Sequence, residues 1–413
     1  MKNILFSIYT DGFPSQFTGG PNNIIYKIIK NFDSDDYKFD YLSRDLIYKE
    51  LNPINLDELG SHIPSKRKVT NYLFENNLLF RKIFSNELYL PFHLVKKNKY
   101  FRSFKRKNNQ YNIVHSQDSL SLPIITSENS VAKKIVTVHS NGPLSNEITS
   151  DIKNIRLKKI IKIKLQHLEK LAIKNADLIT FPSYSAKELF LSDLHVNIDE
   201  NKIKIIYNGI DTDYINLLTQ PKNILKKYHI EQKYDFLFVN ISTYREERQL
   251  DKLFGVIKIL VKNLNKKILL LNVGSGSTNK ELVRLVKKIG VEDYVRLIGK
   301  IPNEDVINIL KMADVFIMLA KRVIFDISLL EAMAAGTCCV VSNEGGNKEI
   351  IKDGENGFLI DIENVDSIAK KIISILPYKD KVRENAIKTA RQFSVQKMVN
   401  EYFEVYEGML NGV

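Results

Sequence analysis

Tryptophan is absent from this chain of 413 residues, and cysteine occurs only twice, as the neighbours Cys338 and Cys339 in an apolar run. Adjacent cysteines cannot bridge each other without strain, so no disulfide framework staples the fold, and the usage fits a reducing compartment. There is no Cys/His cluster with metal spacing, no Gly-x-Ser-x-Gly elbow and no Walker-type phosphate loop. Long hydrophobic runs are missing as well. No segment reaches the roughly 18–20 uninterrupted apolar residues of a membrane span, and Ile268–Val273 and Asp314–Ala320 have strand length. The start, Met1–Ile8, carries one charged side chain and a short apolar run before Asp11-Gly12, too little for a secretory signal. A soluble cytoplasmic protein is expected.

Acidic residues are scarce beside basic ones: 48 Asp and Glu face 61 Lys and Arg, a formal net charge of +13. With 44% hydrophobic and 26% charged residues the composition is globular, which excludes a disordered, collagenous or coiled-coil chain. At about 100–200 residues per domain, the length points to two domains. The excess charge lies in the first half. One cluster runs from Lys66 to Lys107 with aromatics such as Tyr72, Phe80, Phe92 and Phe101 interleaved. A second holds Lys153, Arg156, Lys158, Lys159, Lys162 and Lys164, alternating with Ile155, Leu157, Ile160, Ile161, Ile163 and Leu165. Such stretches suit an anionic membrane surface, where each Lys or Arg contributes about 1 kcal/mol, or an anionic acceptor. A solvated helix face and a nucleic-acid surface are the rival readings. No zinc-finger, RNP or helix-turn-helix pattern supports nucleic acid.

Strand-like runs alternate with helical spacing along the chain. Ile4–Ile8, Tyr111–His115, Lys134–Val138 and Leu178–Phe181 read as strands of the first half, with an amphipathic helix over Ile161–Ala176. The pattern restarts with strands at Asp235–Val239, Lys267–Val273, Val295–Ile298, Ala313–Met318 and Cys338–Val341, and helices at Leu250–Leu264 and Lys280–Ile289. One helical stretch, Val382–Met409, closes the chain. This alternation predicts an α/β protein of two Rossmann-like, doubly wound domains, with a ligand at the strands' carboxyl ends in a cleft between them. The turn-rich segment Asn208–Asp213 divides residues 1–210 from 211–390, and residues 391–413 form a helix expected to pack back toward the first domain.

A set of motifs recurs in order: Gly19-Gly20 after the first strand, Ile113-Val114-His115, Thr137-Val138-His139 and Ile206–Asp211. Val273–Ser277, Val295–Gly299, Ser328–Thr337, Gly345–Ile350 and Asp353-Gly354 follow. The ordered set resembles glycosyltransferase family 4, the retaining GT-B enzymes, over nearly the whole chain. The resemblance implies transfer of a sugar from a nucleotide-sugar donor to a hydroxyl of a surface glycan such as O-antigen, capsule or lipooligosaccharide. Because the basic first half suits docking on the inner leaflet, that glycan is expected to be lipid-linked. The resemblance also implies retention of configuration and no metal cofactor.

Gly19 and Gly20 let backbone N–H groups approach an anion at a helix N-terminus, so they are candidate diphosphate contacts; a tight turn is the plain alternative. Glu331 is read as opening a helix, where a carboxylate either accepts two ribose hydroxyls, as the resemblance implies, or only compensates the helix dipole. Ser328 and Leu329 stand with it as donor-binding candidates. His139 ends a strand, and the resemblance places the matching His at the transferred sugar; His115 reads as structural. Arg248 takes the position of the family's phosphate-binding Lys, and Thr243 that of its Arg, with Arg245 nearby as a further cation. The largest departure is Val323, eight residues before Glu331, where the family carries a glutamate. Asp326 stands where a glycine is usual: it either replaces the lost acceptor or caps the helix that carries Glu331. These departures motivate a rival from another class, a catalytically silent GT-B subunit that binds an acceptor or a partner glycosyltransferase.

Overall fold

The structure is a computed structural model that describes residues 1–9, 20–32, 36–43, 47–51, 110–126, 130–150, 152–218, 224–242, 245–274 and 279–412. Gly19, Thr243, Gly276, the basic cluster Lys66–Lys107 and the remainder of the segment from Pro53 to Asn109 lie outside the described residues. The chain divides into two compact units, Met1–Ile206 with Val399–Val413, and Tyr207–Met398.

The first unit is built on a sheet of β1 (Lys2–Ser7), β2 (Tyr37–Leu42), β3 (Ile47–Leu51), β4 (Ile113–Ser116), β5 (Lys133–Thr137), β6 (Leu178–Phe181) and β7 (Ile203–Ile205). Their order is β3-β2-β1-β4-β5-β6-β7, parallel except for β3, which runs antiparallel at the edge. The second unit holds β8 (Phe236–Ile241), β9 (Ile268–Val273), β10 (Val295–Gly299), β11 (Val315–Met318), β12 (Cys338–Ser342) and β13 (Phe358–Ile360), ordered β10-β9-β8-β11-β12-β13. All its pairings are parallel. Each sheet reverses its winding beside its first strand, between β1 and β4 and between β8 and β11. Ligands of doubly wound sheets bind at such switch points, outside the carboxyl ends of the strands.

Continuous apolar strands fit this architecture because helices cover both faces of a parallel sheet. In β9, Ile268 and Leu270 enter one apolar core of the second unit, and Leu269 and Leu271 the other. Cys338 and Cys339 split the same way, one to each face, both fully buried and neither in a disulfide. Burial holds the Cys338 thiol up at about 12 and raises that of Cys339, so neither is a ready nucleophile.

Three sequence expectations are corrected. The stretch Val382–Met409 is two helices, Arg383–Arg391 and Val395–Asn411. Between them Ile210 N–H donates to Phe393 O, and Val395 N–H to Ile210 O, each at 2.9 Å, so a backbone ladder replaces the helical turn. The helix expected from Ile161 starts at Ile155, because Asn154 caps it by accepting the Leu157 N–H at 3.1 Å. Glu331 does not open its helix. Asp326 caps the helix Ile327–Ala334, which leaves Glu331 in its second turn, beyond the first-turn N–H groups that a dipole-compensating carboxylate serves.

Candidate functional site

In the second unit the sequence brings its cations to the β8/β11 switch point by a tight turn. After β8, Glu246–Arg248 forms a single 3-10 turn, closed by Arg248 N–H donating to Arg245 O at 3.0 Å. Gln249 follows in the left-handed region at φ 48°, uncommon for a residue with a side chain, and its Nε2 donates back to Glu246 O at 2.8 Å. Arg248 therefore precedes the helix Leu250–Leu264 rather than lying on a solvated face of it. Its Nη1 donates to Asp326 Oδ2 at 2.8 Å and meets Met318 Sδ, on β11, at 3.3 Å. Arg245 is exposed.

Asp326 uses its other oxygen as the helix cap. Oδ1 accepts the Ser328 N–H at 3.1 Å and the Ser328 Oγ–H at 2.5 Å. One carboxylate thus ties the loop after β11 to the loop after β8 and starts the helix that carries Glu331. Leu329, one residue on, is fully buried in the core, so a contact from it to a ligand runs through its backbone. Glu331 is half-buried, and its Oε1 accepts from Asn303 Nδ2 at 3.0 Å.

The position of the missing glutamate is closed. Val323 is buried, and Phe325 packs among Tyr207 and Phe393. Gly346 N–H donates to Val323 O at 2.8 Å, and a Cβ on Gly345 or Gly346 would lie 1.9 Å from Val323 O or 2.0 Å from Ile324 O. The Gly-Gly pair is there because the backbone of residues 323–325 lies directly against it.

In the first unit, Gly20 caps the helix Pro21–Lys30 at φ 62°, a conformation that favours glycine, and stands at the carboxyl side of β1. His139, two residues beyond β5, is half-buried, and burial lowers its pKa to about 4. Its Nε2 is 2.8 Å from Gln117 Oε1, and Gln117 Nε2 is 3.0 Å from His115 Nε2. His115 continues the chain, with Nε2 2.7 Å from Thr137 Oγ1 and Nδ1 2.8 Å from Tyr406 Oη on the last helix. Burial, then the neighbouring His139, lowers His115 to about 3, so both rings are neutral near pH 7. As an N–H donor to an amide oxygen, His139 Nε2 leaves Nδ1 as the acceptor nitrogen.

Gln117 and Tyr406 are functional candidates absent from the sequence reading. Gln117 carried a signal: His115 and Gln117 are two apart at the end of a strand, as are Thr137 and His139, so each pair shares a face. Tyr406 carried none, since 291 residues separate it from His115. A further tie holds the β1/β4 switch point: Asp118 accepts the N–H groups of Tyr9, Leu120 and Ser121, with burial raising its pKa. Arg248, Asp326 and Ser328 are thus brought into contact in one unit, and His139 with Gln117 and His115 in the other. Among the described residues no three His, Cys, Asp or Glu side chains converge as metal ligands would.

Two family models match: Glycosyltransferase Family 4 over residues 18–214 and Glycosyl transferases group 1 over residues 221–393. The N-acetyl-alpha-D-glucosaminyl L-malate synthase of Bacillus anthracis is 28% identical over 60% of this chain and 63% of its own length. The match therefore spans less than two thirds of that relative. The UDP-Gal:alpha-D-GlcNAc-diphosphoundecaprenol alpha-1,3-galactosyltransferase of Escherichia coli is 24% identical over 74% of this chain and 77% of its own. Among solved structures, an Anabaena protein in complex with UDP superimposes with a TM-score of 0.67 at 17% identity, covering 99% of this chain and 100% of the other. That likeness establishes the fold. With two doubly wound sheets, and the two family models falling one on each half, the chain belongs to glycosyltransferase family 4 and has the GT-B fold.

Proposed function

We propose that this protein transfers a sugar from a nucleotide-sugar donor to a hydroxyl of a lipid-linked surface glycan, with retention of configuration, working peripherally at the inner face of the membrane. The observation that carries the reading is Arg248, held by Asp326 at the switch point of the second sheet, with Glu331 on the helix that Asp326 caps. Charge develops on the leaving diphosphate as the sugar bond breaks, and a guanidinium fixed beforehand needs no reorganisation to meet it. Arg248 takes that role, with Arg245 as a further cation and the amides of the Gly20 turn as diphosphate donors, so protein groups rather than a metal ion neutralise the leaving group. Glu331 accepts ribose hydroxyls through the carboxylate that Asn303 already orients. Neutral His139 offers Nδ1 as an acceptor to a sugar hydroxyl. Front-face substitution then delivers the acceptor oxygen to the side the diphosphate leaves. The Escherichia coli relative, named for a diphosphoundecaprenol-linked sugar acceptor, supports the lipid-linked assignment.

The test is a thermal-shift panel of UDP, GDP, ADP, CMP and dTDP, with their common sugars, on wild type and Glu331→Ala. A ligand at 100 times its dissociation constant adds about 2.7 kcal/mol. One nucleotide should stabilise wild type and fail on the variant; the product's anomeric configuration, read by NMR, then checks retention. A second reading has its own support: Val323 is sealed in the core and Arg248 is already neutralised by a carboxylate. A silent subunit would bind none of the nucleotides.

A further inference from the structure

The helix Ile155–Asn175 buries one stripe, Ile161, Leu165, Glu169, Ala172 and Ile173, and turns another outward. On the outward side Ile155, Ile160 and Ile163 are 81%, 54% and 56% exposed. Around them stand the exposed cations Lys153, Arg156, Lys159 and Lys164. No acid occurs from Lys153 to Leu168, and the next, Glu169, is buried. A merely solvated face has no use for three isoleucines within about two turns. A helix lying in a bilayer interface has, because its aliphatic side chains enter the acyl boundary while flanking lysines and arginines reach the headgroups.

The helix also points somewhere. It joins β5 to β6, and its end lies at the strands' starting edge, where Asp177 N–H donates to Lys134 O at 2.9 Å. Glu169 sits level with the opposite edge, accepting from Ser119 Oγ at 2.8 Å and Leu144 N–H at 2.7 Å in the turns after β4 and β5. The 14 residues from Ile155 to Leu168, about 21 Å of helix, therefore run on past the carboxyl ends of the strands, the same end at which His139 stands.

We propose that the face formed by Ile155, Ile160 and Ile163 with Lys153, Arg156, Lys159 and Lys164 docks this protein on an anionic lipid bilayer. Docking holds the carboxyl end of the first sheet against the lipid surface from which the acceptor is drawn. The clause about the acceptor rests on the proposed function; the docking itself does not. Charge complementarity selects the occupant. A second copy would bring a like-charged face against this one, and a nucleic acid would pair with the cations but gain nothing from the isoleucines. No helix among the described residues is long and apolar enough to cross a membrane, so attachment at the surface is the mode available to this face.

The experiment is co-sedimentation of the full chain with phosphatidylcholine vesicles, with and without phosphatidylglycerol, at low and high salt. Wild type should bind only the anionic vesicles, and salt should weaken it. The pairs Lys159→Glu/Lys164→Glu and Ile160→Ser/Ile163→Ser should each lower partitioning by about tenfold or more, with unfolding temperatures unmoved because the replaced groups are exposed. Wild type that ignores anionic vesicles, or a charge-reversed protein that binds them as well, overturns the proposal. So does displacement by a DNA oligonucleotide combined with indifference to the isoleucine pair, or a dimer that the isoleucine pair dissolves. Vesicle binding in a protein that binds no nucleotide would sink the proposed function and leave the docking face standing. Nucleotide binding without vesicle binding would sink the docking face, and with it the peripheral placement, and leave donor-dependent sugar transfer standing.

Discussion

The guanidinium of Arg248 and the carboxylate of Asp326 are joined at 2.8 Å across the β8/β11 switch point, and the second oxygen of Asp326 caps the helix that carries Glu331. The two duties of Asp326 separate by substitution. Asp326→Asn keeps a good cap and should hold its stability, whereas Asp326→Ala should lose about 1 kcal/mol in urea unfolding. Both free Arg248 from a negative neighbour, so nucleoside diphosphate should bind about tenfold tighter by calorimetry. Turnover should fall all the same, since the guanidinium is no longer aimed. Arg248→Ala should lower kcat by about a hundredfold or more, and full turnover in that variant would remove it from the site.

The glutamate that the resemblance leads one to expect cannot be restored by writing it back. Val323 is buried and its carbonyl is engaged by Gly346. Val323→Glu should therefore destabilise the protein by about 2 kcal/mol or more, from burying a carboxyl group without a partner, and bring no gain in donor binding. Gly346→Ala should disturb the same loop from the other side, because its Cβ would start 2.0 Å from Ile324 O. Chemical denaturation of both variants, followed by nucleotide titration of the Gly346→Ala protein, is the check.

How much was legible follows from what each feature depends on. The strand of Leu178–Phe181 and the helix of Leu250–Leu264 were readable to the residue, because each is fixed by local periodicity and its flanking turns. Glu331 was misplaced because the cap that starts its helix, Asp326, had two admissible roles, and the structure has it perform one of them. The ion pair it makes with Arg248 joins residues 78 apart, and no spacing rule reports such a contact. In the sequence the isoleucines of the basic helix only alternate with its cations. Only the packing of Ile161 and Leu165 shows which apolar residues face in.

Acid should loosen the first unit in a way that His115 dominates. Its folded pKa is about 3 and that of His139 about 4, both below the ordinary value near 6.5. The unfolded chain thus binds protons that the folded chain refuses. The rings' contribution rises with pH, from about 3 to 6.5 for His115 and from about 4 to 6.5 for His139, by up to about 1.4 kcal/mol per pH unit for each, and is level above that window. Asp118 and Glu169, whose carboxyls are raised by burial, work with the opposite sign, losing their contribution as pH rises through their folded values. The clean measurement is therefore a difference, wild type against His115→Gln, in urea at pH 4.5, 5.5 and 7. The gap between them should be smallest at pH 4.5. A gap independent of pH would mean that the ring takes up its proton in the folded protein at the same pH as in the unfolded chain.

Gln117 decides which nitrogen of His139 faces outward as an acceptor, and two substitutions pull that role apart from simple packing. Gln117→Leu leaves His139 Nε2 and His115 Nε2 without the amide and should cost about 1–3 kcal/mol of stability, with kcat falling further than the donor KM changes. Gln117→Glu still accepts the His139 N–H and holds the same tautomer, but its carboxylate favours the imidazolium. The acid limb of the pH–rate profile should then move to higher pH while turnover near pH 8 stays close to wild type. If the leucine variant keeps the wild-type profile and rate, His139 does not depend on Gln117. If the leucine variant loses rate but the glutamate variant shows no shift in its acid limb, His139 is not the group that must be neutral, and its place at the sugar falls with it.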